Sequence, residues 1–159
     1  MNASSSTQFG NRSKRNFNSR RVLFDTNILL DAVDGNRPGS TEARRALEFC
    51  NGGGDMGLVT PGSLKDLYYI LGRMYGESTA RQAVKHMLNL LVVAPVGVEE
   101  CFMAANSSEP DFEDGQIRAV AELNDVAFIL TRDEKTFRNS RVRAVNCSEY
   151  LRIIESERC

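Results

Sequence analysis

The chain has 159 residues, of which 42% are hydrophobic and 26% are charged, a balance typical of a globular domain with one buried core. Its longest apolar run, residues 88–98, is interrupted by Asn89 and Pro95 and is shorter than the roughly 20 residues of a membrane-spanning helix. The N-terminus lacks the apolar segment of a secretory signal, so we expect a cytoplasmic protein that does not contact membranes. Four scattered cysteines and one histidine argue against a zinc site or a disulfide framework.

The N-terminal segment differs in composition from the rest of the chain. Residues 1–21 carry five basic side chains and no acid, whereas the other 138 residues carry 15 basic and 21 acidic ones. Rich in Ser and Asn, this segment buries too little apolar surface to offset the entropy of ordering it. We predict a disordered basic tail over residues 1–20 and one folded domain over residues 21–159. The tail is either a solvated leader or a contact for nucleic-acid phosphates.

Short apolar runs alternate with helical patterns through the folded domain. Strands are predicted at 22–24, 56–59, 92–94, 128–130 and 142–145. Helices are predicted at 41–50, 63–75, 79–91, 112–123 and 147–154. This alternation, without hairpin signals, predicts an α/β fold with three layers, in which a central parallel sheet of about five strands has helices on both faces.

Two aspartates follow predicted strands. Asp25 comes directly after the strand 22–24, and Asp133 follows the strand 128–130 after two residues. Because ligands bind beyond the carboxyl ends of strands in an open parallel sheet, we expect both carboxylates at one functional edge.

Further acids lie at predicted helix starts. Asp111 follows Pro110 and is expected to be an N-cap, and Asp114 lies one turn further on, in line with the apolar stripe that begins at Ile117. Asp66 occupies an early turn of the helix 63–75. Crowded carboxylates repel one another, so either some are protonated or a cation holds them together. A ligand set made only of oxygen atoms suits Mg²⁺ or Mn²⁺.

Three segments in this order resemble the motifs of the PIN domain, an α/β metal-dependent nuclease fold that includes the VapC-type toxins of bacterial toxin–antitoxin pairs. They are "VLFDTNILLDAV", "DFEDGQIRAVAEL" and "FILTRDEKTF", and the resemblance extends from Val22 to about Leu151. Two departures are visible. Asp66 stands where the family usually has Glu, and Thr136-Phe137 stands where it commonly has Asp-Phe.

The resemblance implies a role for each matching residue. The catalytic and metal-binding acids would be Asp25, Asp66, Asp114 and Asp133. Asn27, Thr131 and Asp111 would support them, and Lys65, Arg132 and Lys135 would contact substrate phosphates.

The implied activity is hydrolysis of single-stranded RNA with Mg²⁺ or Mn²⁺. Family members commonly form homodimers and receive an antitoxin protein, here through the apolar segments 64–74 and 83–91. Two alternatives remain at this stage. One is a PIN-like module that binds RNA or protein without cutting, and the other is a phosphatase of the haloacid dehalogenase type. The phosphatase requires Asp at the position of Asn27.

Overall fold

Five parallel strands form one sheet in the order β3-β2-β1-β4-β5 in the computed structural model, which describes residues 19–159. The strands are β1 (Arg21–Phe24), β2 (Met56–Val59), β3 (Val92–Val93), β4 (Val126–Leu130) and β5 (Arg143–Val145). This sheet confirms the predicted α/β fold. The predicted disordered tail falls almost entirely on residues 1–18, which lie outside the described part of the chain.

Helices occupy both faces of the sheet. They are α1 (Thr26–Val33), α2 (Ser40–Asn51), α3 (Pro61–Tyr75), α4 (Glu77–Leu90), α5 (Val98–Ala105), α6 (Phe112–Leu123) and α7 (Cys147–Glu157), with a 3₁₀ turn at Glu134–Phe137. Two of these helices, α1 and α5, were not predicted from the sequence. Within residues 19–159, no helix is both long enough and apolar enough to cross a membrane.

Alternate residues of β1 face two different cores, as the two-residue period of a strand requires. Val22 and Phe24 belong to a core that contains apolar residues of α1, α2, α3, α4 and α7. Leu23 points the other way and belongs to a core with Ile117 and Val120 of α6. The sheet is therefore covered on both faces, which explains why its central strand is apolar at successive positions.

The strand order places β1 in the centre, between β2 and β4. The chain runs from β1 outward through β2 to β3, and then returns to the other side of β1 to form β4 and β5. The carboxyl ends of β1 and β4 therefore meet where the strand order reverses, which is the usual ligand-binding position in such sheets.

Candidate acidic site

Asp25 lies at the carboxyl end of β1 and is also the N-cap of α1. Its Oδ1 accepts a hydrogen bond of 2.7 Å from the Thr26 amide, and its Oδ2 accepts one of 2.9 Å from the Thr131 hydroxyl. Burial raises the pKa of Asp25, the two hydrogen bonds oppose this, and the charges of Asp111 and Asp133 raise it further. One residue thus starts a helix and supplies a buried carboxylate.

Thr131 joins the ends of β4 and β1. Its buried hydroxyl donates to Asp25 and accepts a hydrogen bond of 3.1 Å from the backbone amide of Asp133. Asp133 is solvent-exposed and lies close enough to Asp25 for the two charges to interact. Asn27, the predicted neighbour that would orient Asp25, is exposed and forms no side-chain hydrogen bond within residues 19–159. The side chain that hydrogen-bonds to Asp25 in this structure is that of Thr131.

Asp111 and Asp114 lie at the start of α6. Asp111 is the N-cap, as predicted, and its Oδ1 accepts a hydrogen bond of 2.8 Å from the Asp114 amide. Burial, followed by the charges of Asp111 and Asp25, raises the pKa of Asp114 to about 7. The first turn of α6 therefore brings two carboxyl groups towards the end of β1.

Glu113 is a further member of the cluster, one not predicted from the sequence. Its Oε1 accepts a hydrogen bond of 3.3 Å from the Thr26 hydroxyl, and its carboxyl group is hydrogen-bonded to that of Asp66 from α3. Burial, together with the hydrogen bond to Asp66 and the charge of Asp66, raises the pKa of Glu113 to about 8. The sequence feature that could have indicated this role is the presence of three acids at a helix start, in the segment 111–114. Glu113 supplies a longer carboxylate beside the shorter one of Asp66.

The three predicted phosphate-binding cations are placed differently. The ammonium group of Lys65 lies 3.7 Å from Oδ1 of Asp66, beside the cluster. Arg132 directs Nη1 towards the buried carboxylate of Asp31, at 3.3 Å, while much of its side chain remains exposed. Lys135 is exposed and has no ion pair with any described residue. Lys65 lies near the start of α3, Arg132 lies after the end of β4, and Lys135 lies in the 3₁₀ turn that follows.

The cluster is not a closed coordination sphere. Among residues 19–159, no three or more His, Cys, Asp or Glu side chains are arranged so that they could already enclose a metal ion. The carboxyl groups instead accept or share hydrogen bonds with Thr26, Thr131, the Asp114 amide and one another. The donor chemistry nevertheless fits Mg²⁺ or Mn²⁺, because all the converging side chains offer oxygen atoms. The pKa values of Asp25, Glu113 and Asp114 are raised, first by burial and then by neighbouring acids.

Solved structures with the same fold come from several bacteria. VapC20 of Mycobacterium tuberculosis, described as a toxin that cleaves the sarcin–ricin loop, is 16% identical, with a TM-score of 0.57 over 68% of this chain and 86% of that one. VapBC2 of Rickettsia felis, bound to a DNA fragment of its promoter, is 14% identical, with a TM-score of 0.63 over 79% of this chain and 98% of that one. A toxin–antitoxin complex of Klebsiella pneumoniae is 21% identical, with a TM-score of 0.60 over 79% of this chain and 97% of that one.

Sequence comparison gives a more direct assignment. No curated protein matches the chain. The sequence pattern described as the PIN domain, however, matches residues 21–135, which contain β1 to β4 and every acidic residue of the cluster. The chain therefore belongs to the PIN domain family.

Proposed function

We propose that this protein is an endoribonuclease that hydrolyses single-stranded RNA and depends on Mg²⁺ or Mn²⁺. The observation that carries the proposal is the convergence of acidic side chains from β1, α3, α6 and the segment after β4 on one edge of the sheet. They are Asp25, Asp66, Asp111, Glu113, Asp114 and Asp133. Such a cluster is costly without a cation, and phosphodiester hydrolysis is the chemistry that hard divalent cations most commonly serve at acidic sites.

The acidic residues have distinct tasks in this proposal. Asp25, Asp114 and Asp133 would hold one divalent ion, and Asp66 with Glu113 would complete a second or shared position. Bound there, the metal would activate water and stabilise the negative charge that develops on the phosphate.

The remaining side chains orient the acids and bind the substrate. Thr131 fixes the Asp25 carboxylate through its hydrogen bond, and Asp111 fixes the first turn of α6 by capping it. Lys65, Arg132 and Lys135 would bind phosphates of the RNA backbone on either side of the scissile bond.

We further propose that the protein is a toxin with an antitoxin partner, since structures of similar fold are described as toxins or toxin–antitoxin complexes. A homodimer is proposed through α3, which exposes four large apolar side chains, Tyr69, Ile70, Met74 and Tyr75. The segment 83–91 contributes the exposed Leu88 to the same helical pair. A cytoplasmic location follows from the proposed RNA substrate.

A second candidate function is a PIN-like module that binds RNA or protein without cutting. Two observations favour it: Asp66 replaces the usual Glu, and the described carboxylates do not already enclose a metal position. Glu113 weakens the first of these arguments, because its carboxyl group reaches Asp66 from α6.

Cleavage of a labelled single-stranded RNA by the purified protein separates the two functions. We expect cleavage with Mg²⁺ or Mn²⁺, none in excess EDTA, and none by the Asp114→Asn variant. The matched control is Asp125→Asn, which alters an exposed aspartate on the turn before β4. Cleavage that survives EDTA would contradict the metal mechanism, and binding without cleavage by the wild type would favour the non-catalytic module.

A further inference from the structure

Arg118 on α6 lies between two buried glutamates. Its Nη1 donates a hydrogen bond of 2.5 Å to Glu109, and its Nε donates one of 3.1 Å to Glu122. The glutamate side chains are only 1% and 6% exposed. Arg118 thus pairs with two buried carboxylates. Its loss would leave Glu109 without its one ion-pair partner among residues 19–159, whereas Glu122 would keep a second pair with Arg141 at 3.8 Å.

Glu109 belongs to the loop between α5 and α6, which is packed tightly against α6. The Ser107 hydroxyl donates to the carbonyl of Ala104 at 2.8 Å and accepts from the Glu109 amide at 3.4 Å. Gly115 of α6 lies so close that an added Cβ would come within 2.8 Å of the Ser107 oxygen. The ion pair between Glu109 and Arg118 therefore adds a further contact between α6 and a loop that is already tightly packed against it.

Glu122 continues the network to the segment that follows Asp133. Its Oε1 accepts hydrogen bonds from the Ser140 hydroxyl at 3.4 Å and from the Arg141 amide at 3.0 Å. Arg118 therefore contacts the loop before α6 directly and, through Glu122, residues 140–141, which lie beyond the 3₁₀ turn that follows Asp133.

We propose that Arg118 is a positioning residue for the acidic site: through Glu109 it fixes the loop that places Asp111, whose carboxylate caps α6 at Asp114. Glu109 precedes Asp111 by two residues, with Pro110 between them, so a shift of Glu109 is transmitted along a short and stiff connection. Arg118 itself contacts neither of the two aspartates. The inference rests on the proposed function, because it assigns Arg118 to the arrangement of the acids proposed there.

Binding of Mn²⁺, followed by electron paramagnetic resonance, tests this role apart from catalysis. We expect Arg118→Gln to weaken Mn²⁺ binding by about 10–100-fold, the usual effect of removing support from a metal ligand. The kcat for RNA cleavage should fall while KM stays near the wild-type value, and Arg118→Lys should recover part of both losses. Arg81→Gln, which breaks the exposed pair with Glu77 on α4, is the control and should change neither.

Amide hydrogen exchange gives a readout that needs no metal. The Asp114 amide is held by the Asp111 cap, and the Ser63 amide is held by the equivalent Thr60 cap of α3. In Arg118→Gln, protection of the Asp114 amide should fall by a larger factor than that of Ser63. Where Arg118→Gln does not fold, Glu109→Gln removes the same ionic contact, keeps the Glu122 contact of Arg118, and should show the same pattern more weakly.

The outcomes separate this inference from the proposed function. A wild type that neither binds Mn²⁺ nor cuts RNA would overturn the proposed function, and the exchange comparison would then decide the role of Arg118 alone. Equal loss of protection at Asp114 and Ser63, or Mn²⁺ affinity within about twofold of wild type, would reduce Arg118 to a general stabilising residue and overturn the inference.

Discussion

The hydroxyl of Thr131 donates a hydrogen bond of 2.9 Å to the carboxylate of Asp25, although the two residues are 106 positions apart in the chain. The same hydroxyl oxygen accepts a hydrogen bond from the backbone amide of Asp133. A single buried hydroxyl therefore connects acids from the two strands that meet at the functional edge, and it has no freedom to turn away without losing both contacts.

Substitution of Thr131 by Val keeps the shape of the side chain and removes both hydrogen bonds. We expect the free energy of unfolding to fall by about 1–2 kcal/mol, because a buried carboxylate loses a donor. We also expect kcat for RNA cleavage to fall, because Asp25 is no longer oriented. Chemical denaturation and cleavage assays measure the two effects. Thr131→Ser keeps the hydroxyl and should retain most of the activity, so equal activity of both variants would contradict the role of the hydroxyl.

The stability of the metal-free protein should depend on pH. The pKa values of Asp114 and Glu113 are raised to about 7 and about 8, whereas the unfolded chain has ordinary carboxyl values near 4. Between about pH 8 and pH 4 the folded state therefore binds more protons than the unfolded state, and the free energy of unfolding increases as the pH falls. We expect the melting temperature in EDTA to rise from about pH 8.5 to about pH 6.

Variants of Asp114 and Glu113 test whether these two carboxyl groups cause the pH dependence. Asp114→Asn and Glu113→Gln should each flatten the rise in melting temperature, because each removes one of the groups that takes up a proton in the folded state. Asp125→Asn leaves the site unchanged and should keep the wild-type slope. A slope that is the same in all four proteins would show that the pH dependence arises elsewhere.

Metal binding should stabilise the folded protein. At a tenfold excess over its dissociation constant, Mn²⁺ is expected to add about 1.4 kcal/mol to the free energy of unfolding, which corresponds to roughly 3–6 °C in melting temperature. Asp133→Asn removes one repelling charge, so the metal-free variant should melt at or above the wild-type temperature and gain far less from Mn²⁺. Equal Mn²⁺ shifts in the two proteins would exclude Asp133 from the metal site.

The exposed apolar surface of α3 predicts the oligomeric state. We expect a homodimer by light scattering at concentrations of about tens of micromolar, and Met74→Glu, at a residue 54% exposed on α3, should convert it to a monomer. Phe102→Glu is the matched control, since Phe102 is 66% exposed but lies on α5. A monomeric wild type, or loss of the dimer only in the α5 variant, would contradict the assignment of the interface to α3.

The acids at the strand ends could be predicted because an apolar run marks the end of a buried strand. Helix α1 could not be predicted in this way, because Ile28, Leu29 and Leu30 are all buried and form a continuous run without the periodicity of a surface helix. Helix α5 was missed for the opposite reason. It leaves Val98 and Phe102 exposed, so its apolar residues do not mark a buried stripe.

The place of Glu113 also depends on contacts that sequence does not reveal. The apolar stripe of α6 points to Asp114, which was predicted, but the partner of Glu113 is Asp66 on a different helix. The role of Arg118 also depends on such a contact. In the sequence it resembles any basic residue on a helix surface, and only the folded structure shows that it pairs with Glu109 in the loop before α6. The local sequence pattern identifies helices and strands, whereas contacts between side chains on different elements are determined by the three-dimensional fold.

The strand order also determines when the proposed nuclease site can form during synthesis. Asp25 and Asp66 leave the ribosome early, but β1 obtains its neighbour β4, with Thr131 and Asp133, only after about a hundred further residues. A chain whose translation stops before β4 lacks both the strand that completes the edge and one of its acids. We therefore expect incomplete chains to be harmless to the RNA around them, so that nuclease activity begins only when nearly the whole domain has been made.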